Sequence, residues 1–220
     1  MASSYGATAF GGGTEASGHR ATAFGLDTEA SAYEATAFGD GAVASGEEAT
    51  AFGVGTKASG AGATAFGDGT KASGEDSTSF GTKTRAKGID AAALGSNTKA
   101  SSIDEVVIGR FNELTTSKKG HKKWNDKDAV FRVGIGESAD KRKDAFRVMK
   151  NGDVVVNGDL TVTGVVKEDG KRRLANAGAE ETLLAKIAAL EAESSQAKEE
   201  ASLVKEKLLE LEAKVAKLLA

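Results

Sequence analysis

Residues 63–74 read ATAFGDGTKASG, and this stretch is one of a file of near-copies. ATAFG begins at Ala7, Ala21, Ala35, Ala49 and Ala63, a spacing of fourteen residues. Weaker forms continue the period as STSFG from Ser77, AAALG from Ala91 and EVVIG from Glu105. One column therefore reads Phe10, Phe24, Phe38, Phe52, Phe66, Phe80, Leu94 and Ile108, each followed by glycine. Six residues later a second column reads Ala16, Ala30, Ala44, Ala58, Ala72, Ala86 and Ala100. Fourteen residues are too few for the helix pairs of helical repeats, but they suit one turn of a β-solenoid made of two short strands and two tight turns. Glycine supplies the turns.

Side-chain alternation assigns the faces. In Ala7-Thr8-Ala9-Phe10 the threonine and the phenylalanine share one side of the strand and the two alanines share the other. Burial of the larger side chain predicts an inward ladder of Phe10, Phe24, Phe38, Phe52, Phe66, Phe80, Leu94 and Ile108 as the core of the roll. The face with Ala9, Ala23, Ala37, Ala51, Ala65, Ser79 and Ala93 then points outward, a flat strip suited to packing against copies of the same chain. On the second strand the outward column is Glu15, Glu29, Val43, Lys57, Lys71, Arg85 and Lys99. Its change of sign makes Lys57, Lys71, Arg85 and Lys99 a candidate ligand stripe, with a merely solvated charged face as the plainer reading.

The composition narrows the function classes. The chain has 220 residues with 28 glycines, no proline, no cysteine and 5% aromatics. Disulfide scaffolds, zinc ribbons and cysteine nucleophiles are excluded. The two histidines, His19 and His121, lie far apart in sequence with no accompanying ligand pattern, so no catalytic, cofactor-binding or metal-binding residues are assigned, and an enzyme is not expected. Much of the apolar fraction is alanine, which buries little area, so an elongated chain is expected rather than a compact globule. No signal peptide is read at the N-terminus, and no run of eighteen apolar residues is available to insert in a membrane. Net charge is segregated: −4 over residues 1–102, +4 over 103–178 and −3 over 179–220.

From Leu183 apolar residues recur at alternating spacings of four and three. The a positions are Ile187, Ser194, Ala201, Leu208 and Val215; the d positions are Leu183, Leu190, Ala197, Val204, Leu211 and Leu218. This predicts a coiled coil about 54 Å long at ~1.5 Å per residue. In a parallel, in-register assembly the flanking pairs Lys186–Glu191, Glu193–Lys198, Glu200–Lys205 and Lys207–Glu212 are all opposite in sign, so the partners are expected to be parallel copies of this chain. The heptads permit two or three strands.

Between these regions the period is lost. AVFRVGIG at 129–136 and DAFRVMKNGDVVVNGDLTVTG at 144–164 alternate as short strands, with Asn151-Gly152 and Asn157-Gly158 as type I′ turn signals. Gly134 and Gly136 read as strand-end glycines, since no helix follows to make a dinucleotide site. The basic run KKGHKKW at 118–124 could meet phosphate or an anionic glycan, but no nucleic-acid fold signature accompanies it, so nucleic acid is disfavoured as a partner.

ATAFGDGTKASG resembles the fourteen-residue head repeat of trimeric autotransporter adhesins, whose consensus runs S-V-A-I-G-x-x-S-x-A-S-G. Thr8 takes the valine position and Phe10 the isoleucine; Val106 and Ile108 restore the usual pair in the last turn. The resemblance implies a left-handed parallel β-roll in each of three chains about a threefold axis, followed by a coiled-coil stalk. The middle is similar instead to phage tail-fibre-like surface proteins, which pass from such repeats to a trimeric β-rich base. The family's membrane-anchoring barrel segment is not found in this sequence.

The expected fold is mainly β with C-terminal α: a roll of eight repeats over 3–110, a β-hairpin-rich basic connector over 111–178 and a parallel trimeric coiled coil over 179–220. The expected function is that of an extracellular, cell-surface or virion fibre, a homotrimer without cofactor that presents its head to a host or neighbouring cell, matrix protein or glycan. The alternative is a structural spacer whose binding domain lies elsewhere. The a layer at Ser194 is thin, so Ser194→Ile should raise the melting temperature followed by circular dichroism; a clear fall would contradict the register.

Overall fold

The computed structural model describes residues 1–114, 122–163, 165–168, 171–174 and 177–219, with side chains described over 1–114, 122–163, 185–212 and 214–215. It divides into two compact units, Met1–Asp159 and Leu160–Ala220. The first is mainly β, a parallel solenoid of about seven turns. Each turn supplies a five-residue strand, from Thr8–Gly12 to Val106–Arg110, and a two-residue strand, from Glu15–Ala16 to Lys99–Ala100. The long strands stack in parallel and in register as one wall, Phe10 on Phe24 on Phe38, and the short strands stack likewise as the other.

Three backbone positions per turn have positive φ, and their tolerances differ. At the glycine after each Phe, φ runs from 113° to 131° between Gly11 and Gly95, a region closed to side chains. A Cβ on Gly53 would also lie 2.0 Å from the carbonyl oxygen of Gly67 in the next turn. The other two positions sit near φ 50–68°, where Asp27, Glu34, Asp76, Asp90 and Asn97 are accepted beside Gly41 and Gly55.

The lumen reverses one sequence expectation. Ala23, Ala37, Ala51, Ala65 and Ala93, expected to face outward, are 0% exposed, and Ser79 is buried with them. Phe24, Phe38, Phe52 and Phe66, expected to form the core, are each 39–40% exposed; Phe10, Phe80 and Ile108 are on the surface too, and Leu94 is only half-buried. Thr8 and Thr22 accompany the rings on the outer face. The alternation itself is as the sequence implies, and only its sense is inverted. The physical reason is width: Ser79 Oγ and Thr84 Oγ1 meet at 2.7 Å across the interior, so side chains one atom longer than alanine already touch. A phenyl group there would force the walls apart. The Ala16 column does point inward, with Ala30, Ala44, Ala58, Ala72 and Ala100 fully buried.

After Val106–Arg110 the chain leaves and returns as the strand Ala129–Ile135, which pairs in parallel on it with Val106 opposite Phe131 and Gly109 opposite Gly134. It thus continues the long-strand wall at a sequence offset different from fourteen. Asp144–Met149 adds antiparallel to it and Val154–Val156 antiparallel to that, completing an 11-stranded sheet. In the last connection only Gly152 has positive φ, 93°, so Asn151-Gly152 is not the type I′ turn that the sequence suggests. Asn157-Gly158 joins no hairpin: Asn157 follows the last strand and its Nδ2 donates to the Asp144 carbonyl at 2.9 Å. Gly134 lies within its strand and Gly136 just beyond it.

The second unit contains a two-stranded antiparallel pair, Val165–Glu168 with Lys171–Leu174, and the helix Ala177–Leu219. Along it Ile187, Leu190, Val204, Leu208, Leu211 and Val215 are exposed, as are Ser194, Ala197 and Ala201, leaving the heptad seam open in a single chain. The side chains of Leu183 and Leu218 lie outside the described residues.

The lumen holds a column of threonines, and the hydroxyls of Thr28, Thr56, Thr70 and Thr98 are buried without a partner, whereas Thr84 has Ser79. Thr70→Val should therefore be neutral or stabilising. Thr84→Val orphans the Ser79 hydroxyl and should cost about 1–3 kcal/mol in denaturant unfolding.

Candidate binding surfaces of the roll

The long-strand wall presents the phenylalanines as a stack. Successive rings from Phe10 to Phe80 lie 4.8–5.1 Å apart at interplanar angles of 3–12°. The register fixes this spacing, because each ring stands on a strand one hydrogen-bond ladder from the next. Stacking contributes about 0.5–1.5 kcal/mol per pair, yet it leaves the outer edges of the rings in water. The wall is thus a contiguous apolar strip, a feature that marks interaction surfaces in soluble proteins.

The short-strand wall carries charge. Register places Glu15, Glu29, Val43, Lys57, Lys71, Arg85 and Lys99 as successive Cα partners in one file. None of its four cations forms a salt bridge among the described residues. Burial first, then the like charges of Arg142 and Arg85, push the Lys99 ammonium below its usual pKa. Arg142 is lowered in the same way, by burial and by Arg85. It reaches the file from the turn after Ala129–Ile135, where its Nη1 donates to the carbonyls of Asn97 and Asn112 at 3.1 Å each. No periodicity could have revealed Arg142, since a non-repeating loop delivers it.

Where the repeat ends, the lumen becomes polar. Glu105 stands in the alanine column of Ala63 and Ala91 and is fully buried; Arg132 pairs opposite Val107 and points into the same interior. Arg132 Nε donates to Glu105 Oε1 at 2.7 Å and Nη1 to Asp144 Oδ2 at 2.6 Å. Burial opposes the Arg132 charge, but Glu105 and Asp144 outweigh it and hold its pKa above the ordinary arginine value. The remaining acceptors are satisfied by backbone: Glu105 Oε2 by the amides of Ser101 and Ser102, Asp144 Oδ1 by that of Glu113. Asn112, in the threonine column, closes the short-strand wall. The Lys71 and Arg85 amides donate to threonine carbonyls of the next turn, whereas that of Lys99 donates to Asn112 Oδ1 at 2.8 Å.

At the first turns Tyr5, His19 and Tyr33 stack on the surface with centroids 5.2 and 5.5 Å apart, and Arg20 pairs with Glu34 at 2.9 Å. The first four residues of the basic run 118–124, His121 among them, lie outside the described residues. Of the rest, Lys122, Lys123 and Trp124 are exposed, and Lys150 Nζ stands 4.7 Å from the Trp124 ring centroid. Among the described residues no group of three His, Cys, Asp or Glu side chains could hold a metal ion, and no helix is long and apolar enough to cross a membrane.

This architecture, a parallel solenoid of glycine-punctuated repeats, is a class in which function resides in the repeated faces. Residues 2–28, 30–56, 58–84 and 86–104 match the family model of the YadA head domain repeat. Residues 2–104 thus carry YadA head domain repeats on a β-solenoid, consistent with the head of a trimeric autotransporter adhesin. No curated protein matches the chain.

Arg132→Met removes the guanidinium that donates to both buried carboxylates at the end of the lumen. It should destabilise the first unit by about 3–5 kcal/mol in urea unfolding, and Glu105→Gln combined with Asp144→Asn should restore part of that loss.

Proposed function

We propose that the chain is a surface-exposed, non-catalytic fibre of adhesin type. Three copies pack their phenylalanine walls about a common axis, the rolls are left-handed, and the helices join as a parallel trimeric coiled coil. The remaining faces of the roll attach to a cell or matrix surface. The observation that carries this reading is the stack of six rings, left two-fifths or more exposed in a single chain except at Phe38 and Phe52, which are 39% exposed. A partner that covered it would gain roughly 2–3 kcal/mol for each ring fully buried. The YadA head domain repeats and the open heptad seam support the same assembly.

Sedimentation equilibrium of the full chain should give a three-chain mass; a monomer at micromolar concentration contradicts the assembly. The triple variant Phe38→Ser, Phe52→Ser, Phe66→Ser should weaken the trimer by about 2 kcal/mol per ring and protomer. On a wall that faced only water, each change would stay within about 0.5 kcal/mol. Attachment is tested by a solid-phase screen against cells, matrix proteins and glycans, where binding to none of them contradicts the adhesin reading.

A further inference from the structure

We propose that the cationic file on the short-strand wall is a binding site for a linear acidic polysaccharide, one whose sulfate or carboxylate groups recur along a straight chain. The inference rests on the attachment reading above and names its ligand class.

The backbone enforces the arrangement. Lys57, Lys71, Arg85 and Lys99 are neighbours in register, so four cations stand about 4.8 Å apart along one line. Arg142 adds a fifth at the end of the line, held by two neutral carbonyls that leave its charge uncompensated. Like charges at this spacing repel, and a chain of anionic groups laid along the file relieves that repulsion along its whole length.

The flanks suit the same ligand. On one side the corresponding turn positions are Ser59, Ser73, Lys87 and Ser101; on the other they are Gly55, Gly69, Lys83 and Asn97. Hydroxyl and ammonium donors therefore border the file, and no carboxylate interrupts it. At the other end of the same file Glu15 and Glu29 repel an anion, which confines the site to the turns from Lys57 onward. Phe111, the next residue of the second row, is half-buried under Arg142, 5.5 Å from its guanidinium carbon, and no aromatic side chain flanks Lys57, Lys71, Arg85 or Lys99, so the face lacks the run of stacking platforms on which single-stranded nucleic acid is held. The file also lies on the wall opposite the phenylalanines, so an assembly that covers the rings leaves it open.

The test is binding of the full chain to immobilised heparin oligosaccharides, with single-stranded DNA as a second probe. Binding to heparin is expected, falling steeply with added salt. The variant Lys57→Glu, Lys71→Glu, Arg85→Glu, Lys99→Glu should lose at least about 100-fold in affinity, and the gentler Lys→Gln and Arg→Gln set about tenfold. Val43→Lys, which extends the file by one turn, should tighten binding about threefold. Absence of heparin binding, equal binding by the glutamate and glutamine variants, or tighter binding of DNA would each overturn the proposal. Sedimentation of each variant separates these outcomes from failure to assemble. Attachment to cells that persists in the reversed variant without heparin binding removes this inference and leaves the adhesin reading standing, whereas heparin binding without any cell attachment does the opposite.

Discussion

The width of the lumen governs the first unit. Two walls of strands close on each other until methyl groups meet, and Ser79 and Thr84 show how little room is left. Turns stack at the spacing of the backbone ladder, so every inward position repeats along the roll and each one admits only glycine, alanine, serine or threonine until the last turns. Phenylalanine is expelled to the outer face by this constraint. The dominant apolar side chains of the repeat therefore stand on the surface of the roll, stacked on one another, while its continuous interior is built from small residues.

The two outer faces then divide the work. The long-strand wall is apolar and geometrically uniform, because its rings are positioned by in-register strands. The short-strand wall is charged and changes sign along its length, from Glu15 to Lys99. One face suits self-association and the other suits solvent or an anionic ligand. Their separation follows from strand alternation alone, since a side chain can point only into the lumen or away from it.

The end of the repeat is managed by substitution in the inward columns. An alanine position becomes Glu105, a threonine position becomes Asn112, and Arg132 enters from the returning strand to neutralise the glutamate and Asp144. Buried charge of this kind adds little net stability relative to an apolar plug, but leaving any one member unpaired is costly. The network therefore ties the last turn of the roll to the strands that follow it.

The sequence by itself determined the period, the turn glycines and which residues share a face, because these depend on local spacing. It could not determine which face was inside. Alternation relates Phe10 to Thr8 and Ala9 to Ala7 but carries no sign, and the usual inference that the larger apolar residue is buried fails when the interior is one methyl group wide. A signal was present in the Ala9 column, which never exceeds serine in size until Val107. Only the tertiary structure decided that Ala129–Ile135 adds a further strand to the long wall, that Arg132 and Asp144 meet Glu105, and that Arg142 joins the cationic file. Each of these contacts bridges segments whose separation obeys no period, so long-range packing alone brings them together.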